Sequence, residues 1–70
     1  MQFHNLKYMP KEIKKQAQKA LETGIKLQDY YRKIASESDN PKVKAVVHDM
    51  LLMEEMNEVL LRSLNQTLGS

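Results

Sequence analysis

The sequence predicts an all-α protein: an antiparallel two-helix hairpin that a second copy completes into a four-helix bundle. Three observations carry this. Two long stretches repeat apolar side chains at helical spacing, only one clear break separates them, and 70 residues without a cysteine are too few to close a core alone. A chain this short buries a small fraction of its surface, and disulfides, a metal or oligomerisation usually supply what is missing. With no cysteine, the disulfide and thiolate routes are closed, and a reducing, cytoplasmic location is expected. Residues 1–9 hold no apolar run of signal-peptide length, and no segment approaches the ~20 apolar residues that span a bilayer, so no membrane association is expected.

The first element runs over 10–37. Pro10 suits a first helical position, where a missing N–H costs nothing. The break is Ser36-Glu37-Ser38-Asp39-Asn40-Pro41. A residue before proline is pushed out of helical geometry, so Asn40 ends a tight turn over 38–40 and caps the helix that Pro41 opens. The second helix is expected over 41–68, with Gly69 as its C-terminal cap. So short a connection forces the helices antiparallel, making 10–68 one hairpin. Residues 1–9 form a separate leading segment, whose Phe3, Leu6 and Tyr8 are expected over one end of the bundle.

At ~100° per residue the faces sort themselves. Helix one has a stripe of Ile13, Ala17, Ala20, Leu21, Leu27, Tyr31, Ile34 and Ala35, opposite Lys11, Lys15, Glu22, Lys26, Asp29 and Lys33. Helix two has a main stripe of Val43, Val46, Val47, Met50, Met53, Leu60, Leu61, Leu64 and Leu68. A narrower patch of Ala45, Leu52, Met56 and Val59 lies behind it. One partner helix cannot cover so much, which is the reason to expect a homodimer or a higher even oligomer.

Charge excludes little but orders the rest. The net charge is +2, yet residues 1–35 carry eight Lys/Arg against three Asp/Glu, and residues 36–70 carry three against six. Those halves attract each other within an antiparallel hairpin. Lys7, Lys11, Lys14, Lys15 and Lys19 have no arginine among them and no aromatic residue beyond Tyr8, so they read as a solvated face and not as a nucleic-acid surface. His4 and His48 read as surface residues, and Met50, Met53 and Met56 as packing. No nucleophile–base pair, phosphate-cradling loop or zinc spacing is present, so neither a hydrolase nor a transferase is expected.

The informative residues are those that interrupt the stripes. Glu54 and Asn57 stand three apart within that of helix two, where a carboxylate and an amide are costly unless paired or ligated. Gly24 is the counterpart on helix one, where alanine would be ~1 kcal/mol better. If the hairpin closes at Ser38 or Asp39, Gly24 lies level with Met53 and Glu54, and Gln28 follows one turn on. The expected dimer core is therefore Gly24, Tyr31, Met50, Glu54, Asn57 and Leu61. Glu54 is expected to join a buried polar network or to sit as a protonated carboxyl there, with a cation shared across the two-fold axis as the functional alternative.

The stretches Ala20–Ala35, Asp39–Lys44 and Met53–Glu58 resemble rubrerythrin-like ferritin domains and the encapsulated ferritins, which carry one such hairpin per chain. The likeness covers roughly residues 17–64. In those families helix one gives a glutamate seven residues before a tyrosine, helix two gives Glu-x-x-His, and two half-sites hold two irons. Through Tyr31 and the Asn-Pro turn, those positions fall on Gly24, Glu54 and Asn57, so one ligand of three remains. The resemblance implies a ferritin-like four-helix bundle without resident cofactor and without catalysis, acting as a structural or interaction module. The alternative is a protein that binds iron or another divalent metal through Glu54 with help from Asn57, Gln28 or Glu22, retaining some ferroxidase-like activity. A shifted register, with Glu22 and Glu55-x-x-Glu58 as the motif, puts its carboxylates on the wet faces beside Lys15, Asp29 and Lys33 or beside Lys44 and Arg62. A third expectation is a spore-coat-type structural protein, from a similar Asn-Pro turn in the coat F family. Either setting allows a larger shell or coat assembly.

Overall fold

The computed structural model describes residues 10–69. Helix α1 spans Pro10–Glu37 and helix α2 spans Pro41–Gly69, joined by a three-residue turn into an antiparallel pair 51 Å long. The expectations for Phe3, Leu6, Tyr8, His4 and Lys7 fall outside the described residues.

The turn closes as its chemistry dictates. The Ser38 N–H still reaches Ile34 O at 3.0 Å, and the Ser38 hydroxyl accepts from the Asn40 N–H at 3.1 Å. Asn40 Oδ1 then takes the N–H groups of Lys42 at 2.9 Å and Val43 at 3.4 Å, two of the donors that every helix start leaves orphaned. At the far end the expectation needs correcting. Gly69 is helical and has no positive φ, so among the described residues α2 runs one residue longer than expected and Gly69 is not a left-handed cap. Among the described residues nothing lies within 4 Å of where a Gly69 Cβ would be.

Where the helices meet, residues recur at alternating spacings of four and three. On α1 these are Ala17, Leu21, Gly24, Gln28, Tyr31 and Ala35; on α2 they are Val47, Leu51, Glu54, Glu58, Leu61, Asn65 and Leu68. This is the narrow seam of a coiled coil. Ala17, Gly24, Gln28 and Val47 are buried and the others half-buried. Tyr31 points inward as expected, while Tyr30 is exposed.

The expected main stripe of α2 requires the larger correction. Of its members only Val47, Leu61 and Leu68 face α1; Val43, Val46, Met50, Met53, Leu60 and Leu64 are exposed. On α1, Ala20 and Ile34 are exposed as well. The seam of α2 is rotated about 100°, one residue's turn, toward Leu51, Glu54, Glu58 and Asn65. The physical reason is directional. A two-helix seam stays partly hydrated, so long polar side chains are tolerated there when they find partners, and here they do. Asn65 Nδ2 donates to Ala17 O at 3.1 Å and to Leu61 O at 2.7 Å, and Gln28 bridges to Glu58 at 2.8 Å. Each cross-helix bond holds α2 in this rotation, which turns its most apolar side outward.

Candidate functional site

At mid-height the hairpin carries one cluster of polar side chains and, beside it, an open apolar groove. Gly24 faces α2 there: a Cβ built on it would lie 3.6 Å from Glu54 Oε1 and 3.7 Å from Leu61 Cδ1, ordinary contact distances. The expected level of Gly24 with Glu54 is therefore observed. Met53, placed at the same height, points away and is exposed.

Gln28 organises the cluster. It is only 4% exposed, and its Nε2 donates to Glu58 Oε1 at 2.8 Å and to Glu54 O at 3.4 Å. Its Oε1 accepts from Arg32 at 3.2 Å. Arg32 also meets Asp29 at 3.3 Å and, across the helices, Glu55 at 3.7 Å. Glu58 completes the chain through Arg62, whose Nε and Nη2 both lie 2.8 Å from Glu58 Oε2. The expectation that Glu58 shares the wet face with Glu55 is corrected: Glu55 is exposed, but Glu58 is half-buried in the seam. Sequence reasoning missed its role. The signal was its place in the same four-three spacing as Val47, Leu51 and Leu61, opposite Gln28. The hydrogen bond from Gln28 holds the Glu58 carboxyl below its ordinary value, Arg62 adds to this, and partial desolvation opposes it.

The other mid-height residues border the groove, which has a volume of about 660 Å³. Lys19, Ala20, Thr23 and Leu27 line it from α1, and Glu54, Asn57, Leu60 and Leu64 from α2. Among the described residues, nothing makes a hydrogen bond or ion pair with the half-buried Glu54 carboxylate. Asn57 and Met50 are exposed on this side. Glu22 is exposed on the outer face of α1, and Lys44 and His48 are exposed too. Of the residues expected in a dimer core, Gly24, Tyr31 and Leu61 are engaged in the seam, Met50 and Asn57 border the open side, and Glu54 lies between.

The donor set does not fit a di-iron centre. Gly24 offers no ligand atom, Asn57 offers a neutral amide, and Glu54 is one carboxylate where the motif needs two carboxylates and an imidazole per half-site. Among the described residues no three His, Cys, Asp or Glu side chains converge. Among those same residues, no helix is long and apolar enough to cross a membrane.

What the geometry provides is a two-sided hairpin. One flank is polar, with Arg32, Glu55 and Arg62. The other is an apolar face that nothing in the hairpin covers. Compared with protein-family models, curated proteins and solved structures, the chain gives no significant match.

Proposed function

We propose that this chain is one half of a ferritin-like four-helix bundle: two copies join through their apolar faces, and the bundle serves as a structural or interaction module without a reaction of its own. The observation that carries this reading is the exposure of Val43, Val46, Met50, Met53, Leu60 and Leu64 along one side of α2. Singly exposed apolar residues are ordinary, but a contiguous row of six on one face marks an interaction surface.

Energetics point the same way. Ordering each residue costs on the order of 1–2 kcal/mol. A hairpin whose buried apolar side chains are Ala17 and Val47 leaves that cost largely uncompensated. Covering valine, leucine or methionine is worth about 1.5–3 kcal/mol apiece when complete, and a second hairpin offers it to six side chains at once.

The non-catalytic part of the proposal rests on the donor set just described. The test is solution mass by sedimentation equilibrium at low micromolar concentration, with metal content measured on the same sample after supply of iron or manganese. The expected result is a dimer without stoichiometric metal. A cooperatively melting monomer overturns the bundle, and one or more tightly held metal ions per dimer overturns the inert module.

A further inference from the structure

The exposed stripe of α2 has a symmetry that specifies what covers it. Glu55 is the central residue of the 29-residue helix. Reflected through that point, Val46 falls on Leu64, Met50 on Leu60, and Met53 on Asn57. All six are exposed in the hairpin and none is charged; Val43, at the end of the stripe, falls on Thr67. A twofold interface brings the same patch of both copies together, so residue i meets j and j meets i. Any heptad stripe can be reflected about some point. Here that point is the middle of the helix, so a half-turn superposes the stripe on itself with both helices overlapping along their whole length.

We propose that the groove-side face of α2 docks on the same face of a second copy, antiparallel, about a twofold axis that crosses the helix at Glu55. This rests on the bundle reading above and adds its geometry. Val46 packs on the partner's Leu64, and Met50 on the partner's Leu60. Asn57, the one polar member, sits beside the partner's Met53; a lone asparagine in an apolar seam fixes register at some expense of stability.

Size and composition both favour a second copy as the occupant. The broad face of the hairpin measures 51 by 23 Å, enough for the about 800 Å² per partner that a standard interface buries. The α2 stripe itself carries no charge, the usual composition of an interface core, and the Glu54 carboxylate borders it inside the groove. On the α1 edge Leu27 is the one large apolar residue lining the groove, beside the smaller or more polar Ala20, Thr23, Gln16 and Lys19, so most of the apolar weight lies on α2. Antiparallel stacking also sets the helix dipoles of the two copies in opposition.

The chain has no cysteine, so introduced ones report pairing directly. In the double variant Met50→Cys/Leu60→Cys the two sites lie ten residues apart on one helix, about 15 Å, too far for a disulfide within the chain. Under mild oxidation this variant should give a covalent dimer. An equimolar mixture of the single variants should give the same product, and neither single variant alone should. The pair Val46→Cys/Leu64→Cys repeats the test at the ends of the stripe, and circular dichroism with sedimentation on the reduced proteins verifies that each is folded and dimeric. If the reduced proteins are dimers but neither pair cross-links, or each single variant links to itself, the antiparallel docking is overturned while the bundle stands. If they and the parent are monomers, the bundle itself is overturned.

Discussion

Gln28 and Glu58, thirty residues apart in sequence, are joined across the helix seam by a 2.8 Å hydrogen bond from Nε2 to Oε1. The amide is buried, and the carboxylate is braced on its other oxygen by Arg62 at 2.8 Å. This contact is made in the observed rotation of α2 about its axis, which aims Glu58 at Gln28 and Asn65 at Ala17 O. An apolar seam would gain more from burying Val46, Met50 and Met53. Here the polar pair occupies the seam, and the apolar row faces out.

The first prediction concerns acid. The Glu58 carboxyl titrates below its ordinary value in the folded chain, so the unfolded state takes up its proton first as pH falls. Its stabilising contribution is therefore complete above the ordinary glutamate range, near 4.3, and is lost as pH falls through the lowered folded value. Melting temperature measured from pH 7 to pH 3 should fall for the parent. Glu58→Gln should melt lower at neutral pH and converge with the parent toward pH 3. Parallel curves across the whole range would remove Glu58 as the source.

How much of this was legible in the sequence follows from which signals are local. Pro10, Asn40 and Pro41 act on their own backbone, so both helices and the turn could be placed to within a residue. The level of Gly24 with Glu54 follows from counting back from the turn. Which side of α2 faces α1 is a different kind of fact. Hydrophobicity ranks the row from Val43 to Leu64 first, and for a single helix on a uniform surface that ranking would decide. It fails here because polar partners exist only as pairs: Glu58 looks solvated until Gln28 is opposite, and Asn65 until Ala17 O is within 3.1 Å. Val47, Leu51, Leu61 and Leu68 share one heptad register and were the available clue; Glu54, Glu58 and Asn65, which complete its four-three spacing, obscured it.

Gly24 offers a prediction of opposite sign. Its virtual Cβ meets Glu54 Oε1 at 3.6 Å and Leu61 Cδ1 at 3.7 Å, which are ordinary contact distances. A methyl group fits without displacing either neighbour. Gly24→Ala should therefore gain about 1 kcal/mol from helix propensity and a less disordered unfolded state. Urea denaturation at fixed protein concentration measures this. A loss of stability would show that the helices pack closer at Gly24 than one hairpin requires.

Asn40 caps α2 by accepting two hydrogen bonds at Oδ1, from the N–H groups of Lys42 and Val43, and its side chain is otherwise exposed. Asn40→Ala should cost about 1 kcal/mol, and Asn40→Asp or Asn40→Ser should recover most of it. Mass and cross-linking should be unchanged, because the turn lies outside the proposed interface. Full stability in Asn40→Ala would mean that Pro41 alone suffices to start the helix.

The last prediction separates an interface from mere exposure. Leu60 and Val59 are neighbours on α2 and are 66% and 67% exposed in the hairpin. By solvent contact they are equivalent; they differ in direction, for Leu60 lines the groove beside Asn57 and Leu64, and Val59 points to the outer side with Leu52 and Met56. If a second copy covers the groove, Leu60→Lys buries two uncompensated ammonium groups at symmetric positions, which is costly in an apolar interface. Sedimentation should show dissociation, with helicity falling at low concentration and recovering as concentration rises. Val59→Lys adds the same charge one residue away and should leave the mass unchanged. Equal effects of the two substitutions, in either direction, would mean that this side of α2 is no more an interface than the opposite one.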